Sequence, residues 1–363
     1  MRVAIVYDRL NKIGGAEQVL IAFHKMYPEA DWYTSVWDPI RAAFSKDWHV
    51  HTSWLNRVPF LRTHHEWIPF LMPFIFESFD LRSYDLVISI GSAESKGVIT
   101  RPGTKHLYYC LTPTRYLYSH AREYLSNPLY RFVGNYLRQW DLVAASRPEE
   151  MIAISTQVKK RIKNIYNRDA AIIFPPVDTT KFSAVPLKSK VWSLDSNYFL
   201  VVSRLVPYKK IDVLIRAANQ AKVKLKIIGQ GSEYGRLLQI AGPTVELLGH
   251  VNDAELPNYY RHCLAYLQAN EEDFGISMCE ALAAGKPVIA YARGGALDIV
   301  IPGKAGILLE EATVDSFAKA LKQFDTMTFV PSVCVASAKQ FDQNIWATQM
   351  KERINSLCQT NQK

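Results

Sequence analysis

Cysteine is scarce in this chain, and the few cysteines are scattered. The five are Cys110, Cys263, Cys279, Cys334 and Cys358. They form no Cys-x-x-Cys pair and no short cluster with histidine, which argues against a zinc site and a disulfide framework. No apolar run approaches the roughly 20 residues that span a bilayer. Only a few apolar residues separate Arg2 from Asp8, so we expect no signal peptide and a cytoplasmic, reduced protein.

Compact basic runs are also missing, although the formal net charge is +9. The lysines and arginines are scattered and no known RNA- or DNA-binding module is present, so nucleic acid is not an expected partner. The Gly-x-Gly-x-x-Gly motif is absent, and the pair Gly14-Gly15 comes late after the first apolar strand. A nicotinamide-binding Rossmann domain is therefore disfavoured.

What the sequence does have is an alternation of short apolar runs and helical patterns in both halves. The strand candidates are Val3 to Val6, Leu86 to Ile90, His106 to Cys110, Met151 to Ile154, Ala171 to Phe174, Phe199 to Val202, Leu225 to Ile228, Val245 to Leu248, Ala265 to Gln268 and Val288 to Tyr291. Such runs indicate parallel sheets with helices on both faces. The expected fold class is α/β, with two Rossmann-like domains and a ligand cleft between them.

A polar stretch from Ser183 to Asp195, which contains Pro186, separates the two series of strands and helices. It predicts a domain boundary, with residues 1–183 in the N-terminal domain and residues 184–344 in the C-terminal domain. Residues 345–363 form the last segment, and helical spacing runs through most of it.

Two carboxylates, Glu272 and Glu280, flank a glycine in the run from Asn270 to Leu282. The polar loop, Gly275 and the apolar residues after it predict a helix that begins near Ser277 with open backbone amides. Open amides at a helix start bind phosphate, and carboxylates accept hydrogen bonds from hydroxyl-rich ligands. A solvated acidic loop with an ordinary surface glutamate is the alternative.

A second strand-to-helix junction, from Val201 to Asp212, carries Arg204 and Lys209. The guanidinium offers a fixed fork of donors and the ammonium a compact point charge, so both suit a diphosphate. An exposed basic loop is the alternative here. A cation pair and a carboxylate pair, each at such a junction, together favour a ligand site.

These motifs resemble the retaining GT-B glycosyltransferases of family GT4 over about residues 152–309. The signatures present are Arg-x4-Lys at Arg204 and Lys209, and Glu-x7-Glu at Glu272 and Glu280. Further motifs in the family's order are Pro175 to Asp178 with Phe182, Ile228 to Gly231, Leu248 to Val251, and Ala284 to Ile289. The resemblance implies a GT-B fold, an acceptor-binding N-terminal domain, a nucleotide-sugar-binding C-terminal domain, and a last helix that returns to the N-terminal domain.

The resemblance also implies roles for residues. The implied catalytic residues are Arg204, Lys209 and Glu272. The implied donor-binding residues are Gly14, Gly15, Arg204, Lys209, Gly229, Val251, Glu272, Phe274, Gly275, Ile276 and Glu280. The two cations would stabilise the departing diphosphate, and the two glutamates would accept hydrogen bonds from the sugar and the ribose. No cofactor and no metal are expected, since Asp-x-Asp is absent and the cations would hold the phosphates.

Three positions depart from the family pattern. Asp273 and Ser203 replace common glycines, and Leu111 stands where related enzymes commonly carry a histidine. His106 lies too early to substitute simply for that histidine. The candidate acceptor-binding residues are Arg115, Tyr116, Tyr118 and His120, each of which has packing or capping as its alternative.

The loop after Asn270 and the run Arg293 to Leu297 resemble bacterial mannosyltransferases of O-antigen and exopolysaccharide assembly. Mannose from GDP-mannose is therefore the favoured donor, and a lipid-linked or growing glycan made at the cytoplasmic face is the expected acceptor. A sugar-nucleotide-binding protein without transfer activity and a GT-B sugar-nucleotide epimerase are the alternatives.

The segment from Trp54 to Phe79 mixes aromatic and leucine residues with Arg57 and Arg62. Such a composition is typical of a membrane interface, and an anionic cytoplasmic leaflet would complement the chain's positive charge. Peripheral attachment to the inner face of the membrane is one expectation. Burial in the N-terminal domain or the lining of an acceptor cleft is the other, because three prolines interrupt any continuous helix.

Overall fold

The computed structural model describes residues 1–11, 14–64, 67–119, 121, 128–183 and 197–359. The chain divides into two compact units, one formed by Met1–Pro175 with Trp346–Lys363 and the other by Pro176–Ile345. Each unit is built on one parallel sheet, which confirms the α/β class and the two Rossmann-like units. The predicted boundary at residue 184 lies outside the described residues and stays a prediction.

The first unit contains a seven-stranded sheet in the order β3-β2-β1-β4-β5-β6-β7. Its strands are β1 (Val3–Tyr7), β2 (Asp31–Thr34), β3 (Val50–Thr52), β4 (Leu86–Gly91), β5 (Lys105–Cys110), β6 (Glu150–Ala153) and β7 (Ala171–Ile172). The described helices are α1 (Ala16–Met26), α2 (Pro59–His64), α3 (Met72–Glu77), α4 (Pro128–Ser146) and α5 (Thr156–Tyr166). Every residue of β1, β4 and β5 is buried, as expected for central parallel strands covered on both faces.

The second unit contains a six-stranded sheet in the order β10-β9-β8-β11-β12-β13. Its strands are β8 (Phe199–Val202), β9 (Leu225–Ile228), β10 (Val245–Gly249), β11 (Tyr266–Gln268), β12 (Val288–Tyr291) and β13 (Gly306–Leu309). The described helices are α6 (Thr179–Phe182), α7 (Ile211–Ala221), α8 (Tyr234–Ile240), α9 (Leu256–His262), α10 (Ile276–Ala283), α11 (Ala296–Ile299), α12 (Val314–Gln323) and α13 (Pro331–Ala338). Helices α7 and α12 pack together and bury their apolar faces in the core of this sheet.

The last helix, α14 (Gln343–Gln359), joins the first unit from Trp346 onward. Trp346, Met350 and Ile354 are buried at a spacing of four, which places them on one helix face. The Trp346 ring lies 4.8 Å from the Phe23 ring in an edge-to-face arrangement, a favourable geometry for aromatic pairs.

The predicted strands agree well with the observed ones. β8, β9 and β12 have the predicted bounds. β2, β3 and β13 were not among the candidates, because each is short, β2 and β13 are only partly buried, and no residue of β3 is buried. Across the described part of the chain, no helix is both long and apolar enough to cross a bilayer. In the same part, no group of three or more histidine, cysteine or acidic residues is arranged to hold a metal ion.

Candidate active site

The strand order of the second sheet reverses between β8 and β11. From β8 the chain proceeds outward through β9 and β10, and from β11 it proceeds to the other side through β12 and β13. The loops that follow two such neighbouring parallel strands diverge at the carboxyl edge and leave a crevice where ligands bind in open α/β sheets. The loop after β8 contains Arg204 and Lys209, and the loop after β11 contains Glu272.

An ion pair between Lys209 and Glu272 joins these two loops. The two side chains keep 12% and 18% of their surface exposed, so the pair is partly accessible from solvent. Gln268, which ends β11, lies with its amide nitrogen 3.4 Å from the same carboxylate oxygen. Two groups that are 63 positions apart in the sequence therefore form one charged centre.

Arg204 stands next to this centre and is exposed. Its Nη2 donates to the Tyr208 hydroxyl over 2.6 Å, and the Lys209 ammonium lies 5.4 Å from the centre of the Tyr208 ring. Tyr208 thus contacts both cations, which keeps them on one side of the short 3-10 turn Pro207–Lys209.

A glycine loop after β9 supports the backbone that carries Arg204. Gly229 has φ +143°, and a Cβ there would stand 1.8 Å from the carbonyl oxygen of Ser203. Two residues further on, the Leu205 amide donates to the carbonyl of Gln230 over 2.9 Å. Close backbone approach explains why glycine stands at residue 229. The predicted contact of Gly229 with a donor stays a prediction.

The loop before α10 is shaped by Gly275, which caps the helix with φ +109°. The helix begins at Ile276, one residue before the predicted start. As at any helix start, its first amides lack acceptors within the helix. The Phe274 side chain is buried and packs edge-to-face on Phe341 at 5.4 Å, so this residue offers its backbone rather than its ring.

Gly294 and Gly295, which the sequence did not assign to the site, pack against the backbone of this loop. Gly295 donates its amide to the Glu272 carbonyl over 2.9 Å. Cβ atoms on Gly294 and Gly295 would stand 2.0 Å from the Glu272 carbonyl oxygen and 1.9 Å from that of Phe274. A consecutive glycine pair just after a buried strand was the available signal.

Glu280 lies one turn inside α10 and is partly buried. The Tyr260 hydroxyl donates to its Oε2 over 2.7 Å. Burial raises the pKa of Glu280 to about 7, while the hydrogen bond from Tyr260 and the charge of Lys181 act in the opposite direction. This carboxyl is therefore easier to protonate than an exposed glutamate.

The remaining predicted donor residues lie at loop positions. Val251 is partly exposed and follows β10, whose end is tied to the end of β9 by the bond from the Gly229 amide to the Gly249 carbonyl, 2.7 Å. Gly14 and Gly15 belong to the first unit, are exposed and immediately precede α1. A donor role for these three residues stays a prediction.

The candidate acceptor residues follow β5 in the first unit. The Tyr116 hydroxyl donates to Glu94 over 2.6 Å, and the Tyr118 hydroxyl donates to Asp141 over 3.1 Å. Arg115 is partly exposed, and His120 lies outside the described residues. Both tyrosine hydroxyls thus engage buried carboxylates, and a role toward an acceptor stays a prediction.

His106 is buried and bonded to Ser89 at 2.7 Å. Burial lowers its pKa to about 3, so the imidazole stays neutral at physiological pH. This arrangement agrees with the expectation that His106 does not replace the missing histidine at residue 111.

Comparison with known proteins finds a family match within the second unit. The sequence profile described as glycosyl transferases group 1 matches residues 187–340. Residues 187–340 are therefore similar in sequence to group 1 glycosyl transferases. The match contains Arg204, Lys209, Glu272 and Glu280, so the residues that carry the resemblance lie inside it.

Two curated relatives are similar to part of the chain. An uncharacterised glycosyltransferase of Methanocaldococcus jannaschii is 30% identical over 175 residues, which are 46% of this chain and 47% of the relative. A GDP-mannose-dependent alpha-mannosyltransferase of Mycobacterium tuberculosis is 38% identical over 120 residues, 32% of each chain. The chain thus spans half or less of the length of both relatives.

Two solved structures share the fold over nearly the whole chain. The HepE protein of Anabaena, solved in complex with UDP, has a TM-score of 0.72 at 18% identity and covers 98% of this chain and 100% of its own. The sucrose-phosphate synthase of Thermosynechococcus elongatus has a TM-score of 0.72 at 17% identity, with 98% and 99% coverage. The fold is therefore GT-B, as the sequence motifs predict.

Proposed function

We propose that the protein is a retaining glycosyltransferase. It transfers a hexose from a nucleotide diphosphate sugar to a hydroxyl of a lipid-linked or growing glycan. The observation that carries the proposal is the ion pair between Lys209 and Glu272, which joins the two motif-bearing loops at the strand-order reversal. A cation for phosphate and an acceptor for sugar hydroxyls, both accessible, meet there as this reaction requires.

Departure of the diphosphate is the step that the cations assist. As the bond between the sugar C1 and the phosphate oxygen breaks, negative charge grows on the diphosphate, and Arg204 and Lys209 stabilise that charge more than they stabilise the intact donor. The fork of the arginine and the point charge of the lysine suit two neighbouring phosphates. In this proposal no metal ion has a role.

Orientation of the donor falls to the loop before α10 and to the helix start. Glu272 accepts hydrogen bonds from hydroxyls of the donor sugar, and Glu280 accepts them from the ribose. The amides of Phe274, Gly275 and Ile276 orient the sugar and the phosphates. Gly14, Gly15, Gly229 and Val251 are further proposed donor-binding residues.

Retention of configuration follows when the acceptor attacks the face that the leaving group vacates. The acceptor oxygen forms the new bond to C1, the diphosphate leaves with the old bonding electrons, and a donor phosphate oxygen takes the acceptor's proton. No protein nucleophile takes part. The missing histidine at residue 111 is thus compatible with this transfer.

Mannose from GDP-mannose is the donor we favour. The Mycobacterium tuberculosis relative is named as GDP-mannose-dependent, as is a second mannosyltransferase relative from Mycolicibacterium smegmatis. The Anabaena neighbour was solved with UDP and glucose. Because GDP and UDP differ in the base alone, a direct comparison of the two nucleotides tests the choice.

The acceptor is proposed to be a glycan on a lipid carrier at the cytoplasmic face of the membrane. Arg115, Tyr116 and Tyr118 in the loop after β5 are the proposed acceptor-side residues. Peripheral attachment to the inner face of the membrane belongs to the same proposal, since the acceptor resides there.

A thermal-shift panel tests the donor site. GDP, UDP, ADP, dTDP and their sugar conjugates are added to wild-type protein and to the Arg204→Ala, Glu280→Ala and Arg216→Ala variants. Arg216 is an exposed arginine on α7 and serves as the matched control. We expect one nucleotide to stabilise the wild type and Arg216→Ala, with a much smaller shift in the other two variants. No shift with any nucleotide would contradict the proposal.

Release of nucleotide in the presence of an acceptor separates the enzyme from its two alternatives. A transferase releases the nucleoside diphosphate faster when a lipid-linked oligosaccharide is supplied. A binding protein shows no acceptor-dependent release, and an epimerase converts the donor sugar without any acceptor.

A further inference from the structure

The ammonium of Lys209, which is proposed to stabilise the donor diphosphate, is already bound by a carboxylate of the protein. Its ion-pair partner is Glu272, and both side chains are largely buried. The side-chain nitrogen of Gln268 lies 3.4 Å from the same carboxylate oxygen. A charge that is largely removed from water is costly when its counter-ion leaves and no new hydrogen bonds form. A ligand that takes Lys209 therefore binds best when it also supplies donors to Glu272.

The two ends of the pair are held in place by contacts that do not involve the pair itself. The Glu272 carbonyl accepts from the Gly295 amide over 2.9 Å, and the Lys209 amide donates to the Val206 carbonyl over 3.0 Å. A Cβ on Gly294 would stand 2.0 Å from the Glu272 carbonyl oxygen, so the backbone is closely packed there. The pair can therefore open by rotation of its two side chains while both loops keep their positions.

The intact donor and its nucleotide product offer different groups to this pair. Both carry a diphosphate, whose oxygens compete with Glu272 for the Lys209 ammonium. The intact donor also carries sugar hydroxyls, which donate hydrogen bonds to the carboxylate that the lysine has left. The free nucleoside diphosphate has no such hydroxyls at that place, so its binding separates the pair without compensating Glu272. The pair thus opposes binding of the product more than it opposes binding of the donor.

We propose that the Lys209–Glu272 ion pair makes the site select the intact sugar donor over the free nucleoside diphosphate. Glu272 is then a specificity-determining residue as well as a contact for the sugar. After transfer of the sugar, the carboxylate loses its hydroxyl partners, recovers Lys209 and promotes release of the nucleoside diphosphate. The inference rests on the proposed function and adds to it the means by which donor and product are distinguished.

Arg204 provides a contrast, because the group that it binds is neutral. Its Nη2 donates to the hydroxyl of Tyr208 over 2.6 Å, and a neutral hydroxyl competes with a diphosphate less than a carboxylate does. The guanidinium can therefore bind the diphosphate of the donor and of the product alike. Loss of Arg204 should weaken binding of both ligands by a similar factor, whereas loss of the Glu272 charge should change the two affinities differently.

Isothermal titration calorimetry with two matched ligand pairs tests the inference. GDP is compared with GDP-mannose, and UDP with UDP-glucose, in the wild type and in Glu272→Gln, which keeps the side-chain size and removes the charge. For the ligand pair that the wild type binds, we expect Glu272→Gln to bind the free nucleoside diphosphate about threefold to tenfold more tightly, since Lys209 is released from its counter-ion. Its affinity for the nucleotide sugar should be unchanged or lower, because an amide accepts hydroxyl donors less strongly than a carboxylate. The preference for the intact donor should therefore fall by about tenfold.

Two control variants separate this effect from a general change of charge. Glu271 is exposed and one residue away, so Glu271→Gln removes the same charge and should change both affinities alike. Arg204→Ala should weaken binding of both ligands while keeping their ratio, and thermal melting checks that each variant is folded. An unchanged ratio of the two dissociation constants in Glu272→Gln, with both ligands bound, would overturn the inference and leave the proposed function standing. Binding of neither ligand pair by the wild type would instead contradict the proposed function and the inference together.

Discussion

The carboxyl edges of the two parallel sheets both hold charged pairs, but they differ in how far those charges are buried. In the first unit, three carboxylates that lie in the loops after the central strands, or bond to those loops, are buried and engaged by protein groups. They are Asp8, Glu94 and Asp141, which are 5%, 1% and 1% exposed. In the second unit, Arg204 is exposed and the Lys209–Glu272 pair is partly exposed. The charged side chains of the second unit are accessible, so they can exchange their protein partners for a ligand.

Each buried carboxylate of the first unit ties loops together. Asp8 accepts from the amides of Ser92 and Ser95, both at 2.8 Å. Glu94 accepts from Arg9 at 3.0 Å and from Tyr116 at 2.6 Å. The loops after β1, β4 and β5 are thereby cross-linked, so the acids of this edge stabilise the scaffold. The expected effects of substitution differ accordingly between the two edges.

The largest effect is expected at Asp141. Its partners are Lys96 at 2.5 Å, Thr114 at 2.7 Å, Tyr166 at 2.9 Å and Tyr118 at 3.1 Å. Asp141→Ala leaves the fully buried Lys96 ammonium without its counter-ion, and we expect a loss of about 3–5 kcal/mol in the free energy of unfolding. Urea denaturation measures it. The double variant Lys96→Met/Asp141→Leu should recover much of the loss. A change below about 1 kcal/mol in Asp141→Ala would contradict a stabilising role for this carboxylate.

Arg204→Ala is expected to lower activity and to leave stability almost unchanged. The guanidinium is exposed, so the free energy of unfolding should change by less than about 0.5 kcal/mol. Loss of a group that stabilises the departing diphosphate should lower kcat by about 100- to 1,000-fold. Steady-state transfer assays beside denaturation measure both quantities. Arg216→Ala, the matched control, should change neither.

Gly229 supports the backbone at the accessible edge of the second sheet. A Cβ at this position would meet the Ser203 carbonyl at 1.8 Å, whereas one on Gly249 would meet nothing within 4 Å, and both glycines have positive φ. Gly229→Ala should therefore lower the free energy of unfolding by about 2–3 kcal/mol, and Gly249→Ala by only about 1–2 kcal/mol. Equal losses in the free energy of unfolding of the two variants would contradict a supporting role for the loop after β9.

Glu280 gives the smallest effect, and it depends on pH. Its pKa rises from an ordinary value of 4.5 to about 7 on folding. Folding then favours the protonated form, so this contribution to stability is present below pH 4.5 and is lost as the pH rises to about 7. Relative to Glu280→Gln, the wild type should lose on the order of 1–2 kcal/mol between pH 5 and pH 8, after allowance for solvent screening. Parallel pH profiles of the two proteins would contradict this.

Local patterns predict most of the second unit and less of the first. The apolar runs of β8, β9 and β12 and the glycine before α10 are local signals, and each has the predicted place. The ion pair between Lys209 and Glu272 could be anticipated from two strand-to-helix junctions, because neighbouring parallel strands bring their carboxyl ends together.

The buried network around Asp141 had no local signal. Its members come from the loops after β4 and β5 and from helices α4 and α5, and the sequence distance from Lys96 to Asp141 is 45. An aspartate in an amphipathic helix has the same local pattern whether it faces water or a buried lysine.

Hydrogen–deuterium exchange tests the contrast between the two edges most directly. The nucleoside diphosphate that stabilises the protein is added at saturation, and amide exchange is followed over both units. We predict protection in residues 203–210 and 272–280, with unchanged exchange in residues 92–97 behind their buried carboxylates. Protection of residues 92–97 without protection of the two loops of the second unit would contradict the assignment of the donor site.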